Sequence, residues 1–260
     1  QLLQKDTTLI YDSLIGSSYF IYSDSINYIN ILKNLETHQI SIGEVSPINT
    51  TEFISLSYGN TTLNNFKTYL KNNNKIHVWD SLNNSLKTIY NFNINELATY
   101  IQEIGSFTSN LGSFYYLKSD EVYNIVSLLT LMEDSIAPQT TKRYLYYKIN
   151  TNNLFQLLAG EIFSEPKNYY ININNYFIFD KDTSSLQSVY HNFTIGKTLN
   201  KNRAYMNFIK NKFNNYGLNY YSDITTDKDT LNKVLSYQLR GEQNGIISNL
   251  NIFYCEKVID

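Results

Sequence analysis

Residues 169–213 read YYININNYFIFD, then KDTSSLQSVYHNF, then TIGKTLNKNRAYMNFIKNKF, and hold in one run the unit that much of the chain repeats. Tyr169–Ile173 and Tyr176–Phe179 are β-branched and aromatic runs, the composition of strands. Asn174 and Asn175 between them tolerate the positive φ of a two-residue turn, so the stretch predicts a hairpin. Leu186, Val189, Tyr190 and Phe193 follow at i, i+3, i+4 and i+7, the spacing that gathers apolar groups on one side of a helix. Asp182 or Thr183 is placed to accept that helix's first amide hydrogens. Gly196 interrupts the pattern. A second helix is predicted after it, capped by Asn200, with Leu199 packing on Ala204 and with Tyr205, Phe208 and Ile209 as its buried stripe.

Outward from this stretch the same order recurs in SYFIYSDSINYINIL (18–32), SFYYLKSDEVYNIV (113–126), YLYYKINTNNLFQLL (144–158) and LNYYSDITTDKDTLNKVL (218–235). Each reads as an aromatic strand, a turn rich in Asp, Asn, Ser and Thr, and an amphipathic helix. Their spacing is irregular, whereas a solenoid or propeller needs a fixed period. The fold class expected is α+β, with helices packed on largely antiparallel sheets, as two similar halves (1–138 and 139–260) or as one continuous domain. Any α+β chain also yields look-alikes of this kind.

The remaining segments are read in chain order. The opening residues are a polar lead into a strand at Tyr19–Tyr22, and Asp24 caps a helix carrying Ile26, Ile29, Leu32 and Leu35. Residues 38–62 predict strands in a hairpin or meander, broken at Gly43, Pro47 and Gly59-Asn60. Leu63–Lys71 is a short helix. Ile76–Trp79 and Leu86–Tyr90 predict a second hairpin joined through Asp80–Ser85. Leu97, Tyr100, Ile101 and Ile104 mark a helix closed by Gly105. Asp120 caps a helix whose inward residues are Val122, Ile125, Val126 and Leu129; Leu154, Leu157 and Leu158 face inward in the next. A loop holding Pro138 separates these two, and a last hairpin turns at Gly241–Gly245.

At 260 residues and 42% hydrophobic, the chain can bury a substantial core. Charged residues are 17% and the net charge is -2, so there is no broad basic field to hold phosphate backbones, and nucleic acid is not an expected partner. Arginine occurs only at Arg143, Arg203 and Arg240, while Asn, Lys, Ile and Tyr are abundant, the bias that an AT-rich genome imposes. Cys255 is alone, so neither an internal disulfide nor a thiolate metal cage is expected. There is no run of eighteen apolar residues and no charged-then-apolar leader, so the chain as given is read as neither spanning a membrane nor carrying a signal peptide. Its start at Gln1 points to an upstream segment that was processed or left out, and its end just after a strand-like run points to a natural chain that continues.

Motifs for chemistry fail on spacing. His38, His77 and His191 have no second ligand at i+2 or i+4, and no metal site is signalled. IGSSYF around Ser17 lacks the GxSxG spacing of a nucleophile elbow. LAGE at 158–161 and Gly196-Lys197-Thr198 resemble pieces of a phosphate loop, but the earlier glycine is missing where Asn192–Thr194 lie. Asp180 with Asp182, and Asp227 with Asp229, have the alternate spacing of a calcium loop; helix capping explains them better. Asn49, Asn60, Asn83 and Asn192 stand in Asn-x-Ser/Thr triplets, which this composition produces by chance. No catalytic, cofactor-binding or metal-ligating residue is singled out, and no cofactor is expected.

NYFIFDKDTSSLQSV (175–189), GKTLNKNRAYMNFI (196–209), and SYQL with GIISNLNIFY (236–254) carry a resemblance that runs from about residue 17 to residue 255. On these the chain resembles a family of Bacteroidetes cell-envelope proteins grouped as a domain of unknown function. Its members are typically lipid-anchored or otherwise exported, and some carry a β-propeller-like region after this domain. The resemblance implies an extracytoplasmic location, in the periplasm or at the outer-membrane surface, and the α+β plan; it carries over no catalytic residue. The function expected is a non-enzymatic binding or assembly module of the envelope that engages a protein partner and meets the membrane only through an anchor outside this sequence. The alternatives are a carbohydrate-binding surface protein using exposed tyrosines and Trp79, and a hydrolase with scattered catalytic residues.

Overall fold

The computed structural model of the chain describes residues 6–10, 13–21, 31–35, 37, 39, 41–133, 139–141, 144–150, 153–211, 216–224, 231–241 and 245–256. Strands β8 (Tyr169–Ile173) and β9 (Tyr176–Asp180) form the expected hairpin, turned at Asn174 with φ 56°. All five residues of β9 are buried. Phe177 and Phe179 join one apolar cluster while Tyr176 and Ile178 join another, so helices cover the strand on both faces. That is why its sequence is a continuous apolar run where a one-sided strand would alternate.

Around this hairpin the chain forms an α+β fold on one antiparallel sheet. Its other strands are β1 (Asp6–Ile10), β2 (Ser13–Ile21), β3 (Thr50–Ser57), β4 (Glu103–Ser109), β5 (Gly112–Lys118), β6 (Gln139–Thr141), β7 (Tyr144–Lys148), β10 (Leu218–Asp223), β11 (Leu231–Gly241) and β12 (Gly245–Glu256). The order across the sheet is β1-β2-β12-β11-β10-β3-β4-β5-β9-β8-β7-β6, which inserts the three last strands between β2 and β3. Every pairing of the described strands is antiparallel.

Helices α1 (Asn60–Asn72), α2 (Ile76–Tyr90), α3 (Ile94–Tyr100), α4 (Val122–Thr130) and α5 (Leu154–Ala159) cover one face, where Leu63, Trp79, Leu97, Ile125 and Leu157 pack with Leu56, Ile104, Leu117 and Phe177 of the sheet. Helices α6 (Thr183–Thr194) and α7 (Arg203–Asn211) cover the other, where Leu186, Val189 and Tyr205 pack with Phe53, Phe107, Tyr116 and Tyr221. Phe53 stacks on Tyr221 at 5.2 Å between centroids, and Tyr205 meets Tyr221 edge-on at 5.5 Å.

Several predicted elements stand: β8 and β9, α1, α6, the strand–helix pairs β5–α4 and β7–α5, and the closing β11–β12 hairpin. Leu154, Leu157 and Leu158 face inward, and Leu199 and Ala204 are buried together. Asp182 caps α6, its side chain accepting the Ser184 amide at 3.0 Å.

Other expectations are corrected. Residues 76–90 are a single helix, because Trp79, Leu82, Leu86 and Tyr90 repeat at helical spacing against α1 and α5. Gly105 lies inside β4, after α3 has ended at Tyr100. Residues 231–235 are strand, with Val234, Ser236 and Gln238 buried at a period of two. The opening is β1 and the start of β2 rather than a polar lead. Within 38–62, Ile42–Glu44 is a 3-10 turn and Asn60 already begins α1.

The N-cap position of α4 is Glu121 rather than Asp120, which accepts from Gln102 Nε2 and Asn175 Nδ2, while Ser119 Oγ accepts the Glu121 amide. Asn202, not Asn200, caps α7 by accepting the Tyr205 amide at 3.1 Å. Val126 faces outward, 36% exposed, and Leu128 takes its place in the core. Asp24, His38, Pro138, Asp227 and Asp229 lie outside the described residues, as do residues 26–30 of the helix expected over 26–35.

The Asp182 cap carries a pH signature. Hydrogen bonds from the Ser184 hydroxyl and amide hold its carboxyl below the usual range. A depressed folded pKa means that the contribution is present above the unfolded value of about 3.9 and is lost as pH falls through the folded one. Asp182→Ala is expected to cost about 1 kcal/mol near neutral pH. Asp182→Asn keeps the acceptor and is expected to abolish the acid-dependent part; urea unfolding at about pH 7 and about pH 3 reads both.

Candidate functional site

Between α1, α2 and the end of α5 lies an open pocket of about 420 Å³. Its construction begins at Asn74, whose φ of 57° reverses the chain after α1, while the Lys75 amide returns to the Leu70 carbonyl at 2.8 Å. The reversal lays α2 beside α1, so that Phe66, Tyr69 and Leu70 form one wall and Val78, Trp79 and Leu82 the next. Phe66 and Tyr69 stack at 6.3 Å.

The third wall depends on how α5 ends. The last carbonyls of any helix lack partners within it. Here Trp79 Nε1 donates to the Leu157 carbonyl at 2.8 Å, and the Tyr58 hydroxyl donates to that of Leu158 at 2.7 Å. Gly160, at φ 82°, then turns the chain into a 3-10 segment, Gly160–Phe163, that presents Glu161 and Ile162 to the pocket. Trp79 is thereby locked, with 6% of its surface left, and that remnant lies in the pocket wall.

Polar groups stand at the pocket's edge. Lys75 Nζ pairs with Glu161 Oε1 at 3.2 Å, joining the start of α2 to the turn after α5. Both side chains are more than half exposed, so the pair contributes at most about 1 kcal/mol and opens readily. Lys67 Nζ sits 4.6 Å above the Trp79 ring; burial pushes its pKa down, and Asp80 partly opposes this. Val78 and Ile162, each 52% exposed, are bare apolar rim residues.

A second cluster lies on the opposite face of the sheet. Glu103 Oε1 accepts from the Tyr116 hydroxyl at 2.5 Å and from Ser55 Oγ at 2.8 Å, all three groups being buried. Burial, and then the Glu103 carboxylate, push the Tyr116 phenol well above its ordinary pKa. Nearby, Ser41 Oγ lies 2.6 Å from the Tyr176 hydroxyl and accepts from Lys118 Nζ at 2.6 Å. Burial holds the Tyr116 and Tyr176 phenols protonated, and the cluster ties β4, β5 and β9 to Ser41 at the start of the Ile42–Glu44 turn.

The residues weighed from the sequence fall apart in space. His77 and His191 are exposed on α2 and α6. Ser17 is an interior residue of β2, paired with Asp6 and Asn249. Asp180 is buried against Lys167, while Asp182 caps α6. Lys197 carries the carbonyl that accepts the Ile48 amide. Asn49 and Asn60 are exposed and Asn83 and Asn192 half-buried. Among the tyrosines whose side chains are described, Tyr123 is exposed, at 81%, and the others are buried or partly so.

Sequence reasoning missed the pocket walls at Phe66, Tyr69, Leu82 and Ile162, with Lys75 between them. The signal available was the helical repeat Trp79, Leu82, Leu86 and Tyr90. Among the described residues no group of three His, Cys, Asp or Glu could hold a metal ion, and no helix is long and apolar enough to cross a membrane. No family model, curated protein or solved structure matches the chain.

Proposed function

We propose that this protein is a non-enzymatic binding or assembly module of the bacterial cell envelope, acting outside the cytoplasm, which seats an apolar segment of a protein partner between α1, α2 and α5. The observation that carries this reading is the pocket itself: aromatic and aliphatic walls, a floor held by the Trp79 and Tyr58 hydrogen bonds, and bare Val78 and Ile162 at its rim. Concave apolar sites with a few placed polar groups are where proteins take ligands and anchor side chains. The envelope location rests on the resemblance carried by residues 175–189, 196–209 and 236–254.

Photocrosslinking in intact envelopes tests the reading. A crosslinking side chain at Val78 is expected to capture one recurrent protein, and the same group at Tyr123, exposed on α4, is expected not to. Capture that does not depend on position, or none at either, would sink it. A shift of Trp79 emission with soluble glycans and none with peptides would replace it with carbohydrate binding. Turnover in a broad esterase and glycosidase screen would replace it with hydrolysis.

A further inference from the structure

The net charge of -2 hides an uneven distribution. Residues 183–222 contain Lys197, Lys201, Arg203, Lys210 and Lys212 and neither Asp nor Glu. The first three of these cations share one compact support, the turn that joins α6 to α7. Thr198, Leu199, Ala204 and Tyr205 are its buried residues, while Ile195, Lys197, Lys201, Arg203 and Met206 are exposed. Its backbone is tied to the segment before β3: the Leu199 amide donates to the Ser46 carbonyl at 2.8 Å, the Ile48 amide to the Lys197 carbonyl at 3.0 Å, and Asn202 Nδ2 to the Ile48 carbonyl at 3.2 Å. Anchoring one set of side chains inward leaves the other set held outward.

Among the described residues, Lys197, Lys201 and Arg203 enter no ion pair. Glu44 is exposed on the adjoining Ile42–Glu44 turn and pairs with none of them. Asp182 lies at the opposite end of α6, where Ser184 and Ser185 take up its carboxylate. The apolar residues of this surface, Ile195 and Met206, are 49% and 37% exposed. Met206 follows Arg203 by one turn of α7, on the same side of the helix.

We propose that this turn is a membrane-surface contact, in which Lys197, Lys201 and Arg203 meet the phosphates of anionic phospholipids while Ile195 and Met206 enter the boundary beneath them. Unpaired cations call for an anion, and the Arg203 guanidinium can fork onto a phosphate. Two apolar side chains set singly among cations give too little contiguous apolar area for a stable protein interface, which buries roughly 1,200 Å² or more. A headgroup layer takes such side chains one at a time, just below the depth at which the cations sit. Each cation near an anionic leaflet strengthens binding about fivefold.

Co-sedimentation of the whole chain with vesicles tests the proposal. Binding is expected to an equimolar mixture of phosphatidylcholine and phosphatidylglycerol, weakening as salt is raised, and not to phosphatidylcholine alone. Lys201→Gln with Arg203→Gln is expected to weaken it about twenty-fold. Met206→Gln is expected to weaken it severalfold with the salt dependence unchanged. Lys71→Gln with Lys87→Gln removes the same charge from exposed positions of α1 and α2 and is expected to change nothing. A far-UV spectrum matching that of the parent excludes misfolding in each variant.

No binding to the mixed vesicles, equal binding to phosphatidylcholine, or equal losses in the two double lysine and arginine variants would each overturn the proposal. So would binding of soluble polyglutamate in place of vesicles, which would give the surface to an acidic protein. The pocket between α1, α2 and α5 takes no part in these measurements, so the Val78 crosslink stands or falls separately.

Discussion

Gly105→Ala is expected to destabilise this protein by about 3 kcal/mol or more, and Gly105→Val to leave no folded state, because the position has no room for a single added carbon. A Cβ there would lie 2.1 Å from the Ile54 carbonyl oxygen and 2.6 Å from two ring carbons of Tyr116. Gly105 pairs with Ser55 on one side and Tyr116 on the other, so the clash falls in the middle of two ladders. The ring is there because the Tyr116 hydroxyl reaches along the strand to the buried Glu103 carboxylate at 2.5 Å. Moving Ile54 means parting β3 from β4. Moving Tyr116 means leaving Glu103 without that donor, which costs about 1–3 kcal/mol by itself. Urea unfolding reads the loss, and adding Tyr116→Ala is expected to relieve only the ring contact. Full recovery in the double variant would show that the Ile54 carbonyl is no obstacle.

Lys167→Met is the second large loss expected, about 3–5 kcal/mol, from removing one partner of a buried ion pair. Lys167 Nζ lies 3.2 Å from Asp180 Oδ1, with 1% and 5% of the two side chains exposed, and donates to the Ser113 carbonyl at 2.5 Å. Its Nζ also sits 5.2 Å from the Tyr115 ring centre. Without it Asp180 keeps the Lys181 amide at 2.7 Å but loses its counter-ion in the core. A drop in Tm of about 10 °C is expected from thermal melts. Lys167→Met with Asp180→Leu removes both charges and is expected to recover most of the loss. A double variant no more stable than Lys167→Met would show that the ammonium acts through Ser113, Tyr115 and Glu165, whose Oε2 lies 3.2 Å from it, rather than through Asp180.

The strand–turn–helix runs were legible because their turns are local. Asn174 takes positive φ and Asp182 caps its helix, and both effects are settled within four residues. The same signals misled wherever partners are distant. Asn83 and Asn84 looked like a turn, yet they sit mid-helix in α2, while Asn74 and Asn91, which do take positive φ, mark its two ends. In a chain so rich in asparagine, residue type alone does not separate turn from helix; the spacing of Trp79, Leu86 and Tyr90 does. Gly105 looked like a helix end because the ring that excludes a side chain there comes from the next strand. Leu231–Leu235 looked helical until pairing with β10 and β12 fixed a period of two.

The candidate site was hidden for the same reason. Splitting 76–90 into two strands removed the helix that carries two of its aliphatic residues and Trp79, and its third wall comes from residues some eighty positions further on.

The strand order fixes a sequence of events at the ribosome. Among the described strands β2 pairs with β1 and β12, so the β1–β2 hairpin meets its sheet partner once residues 245–256 have been translated. The segment from β3 to β9 can collapse earlier on contacts among its own residues. Pairing of β12 with β2 is therefore a long-range closure of the slow kind.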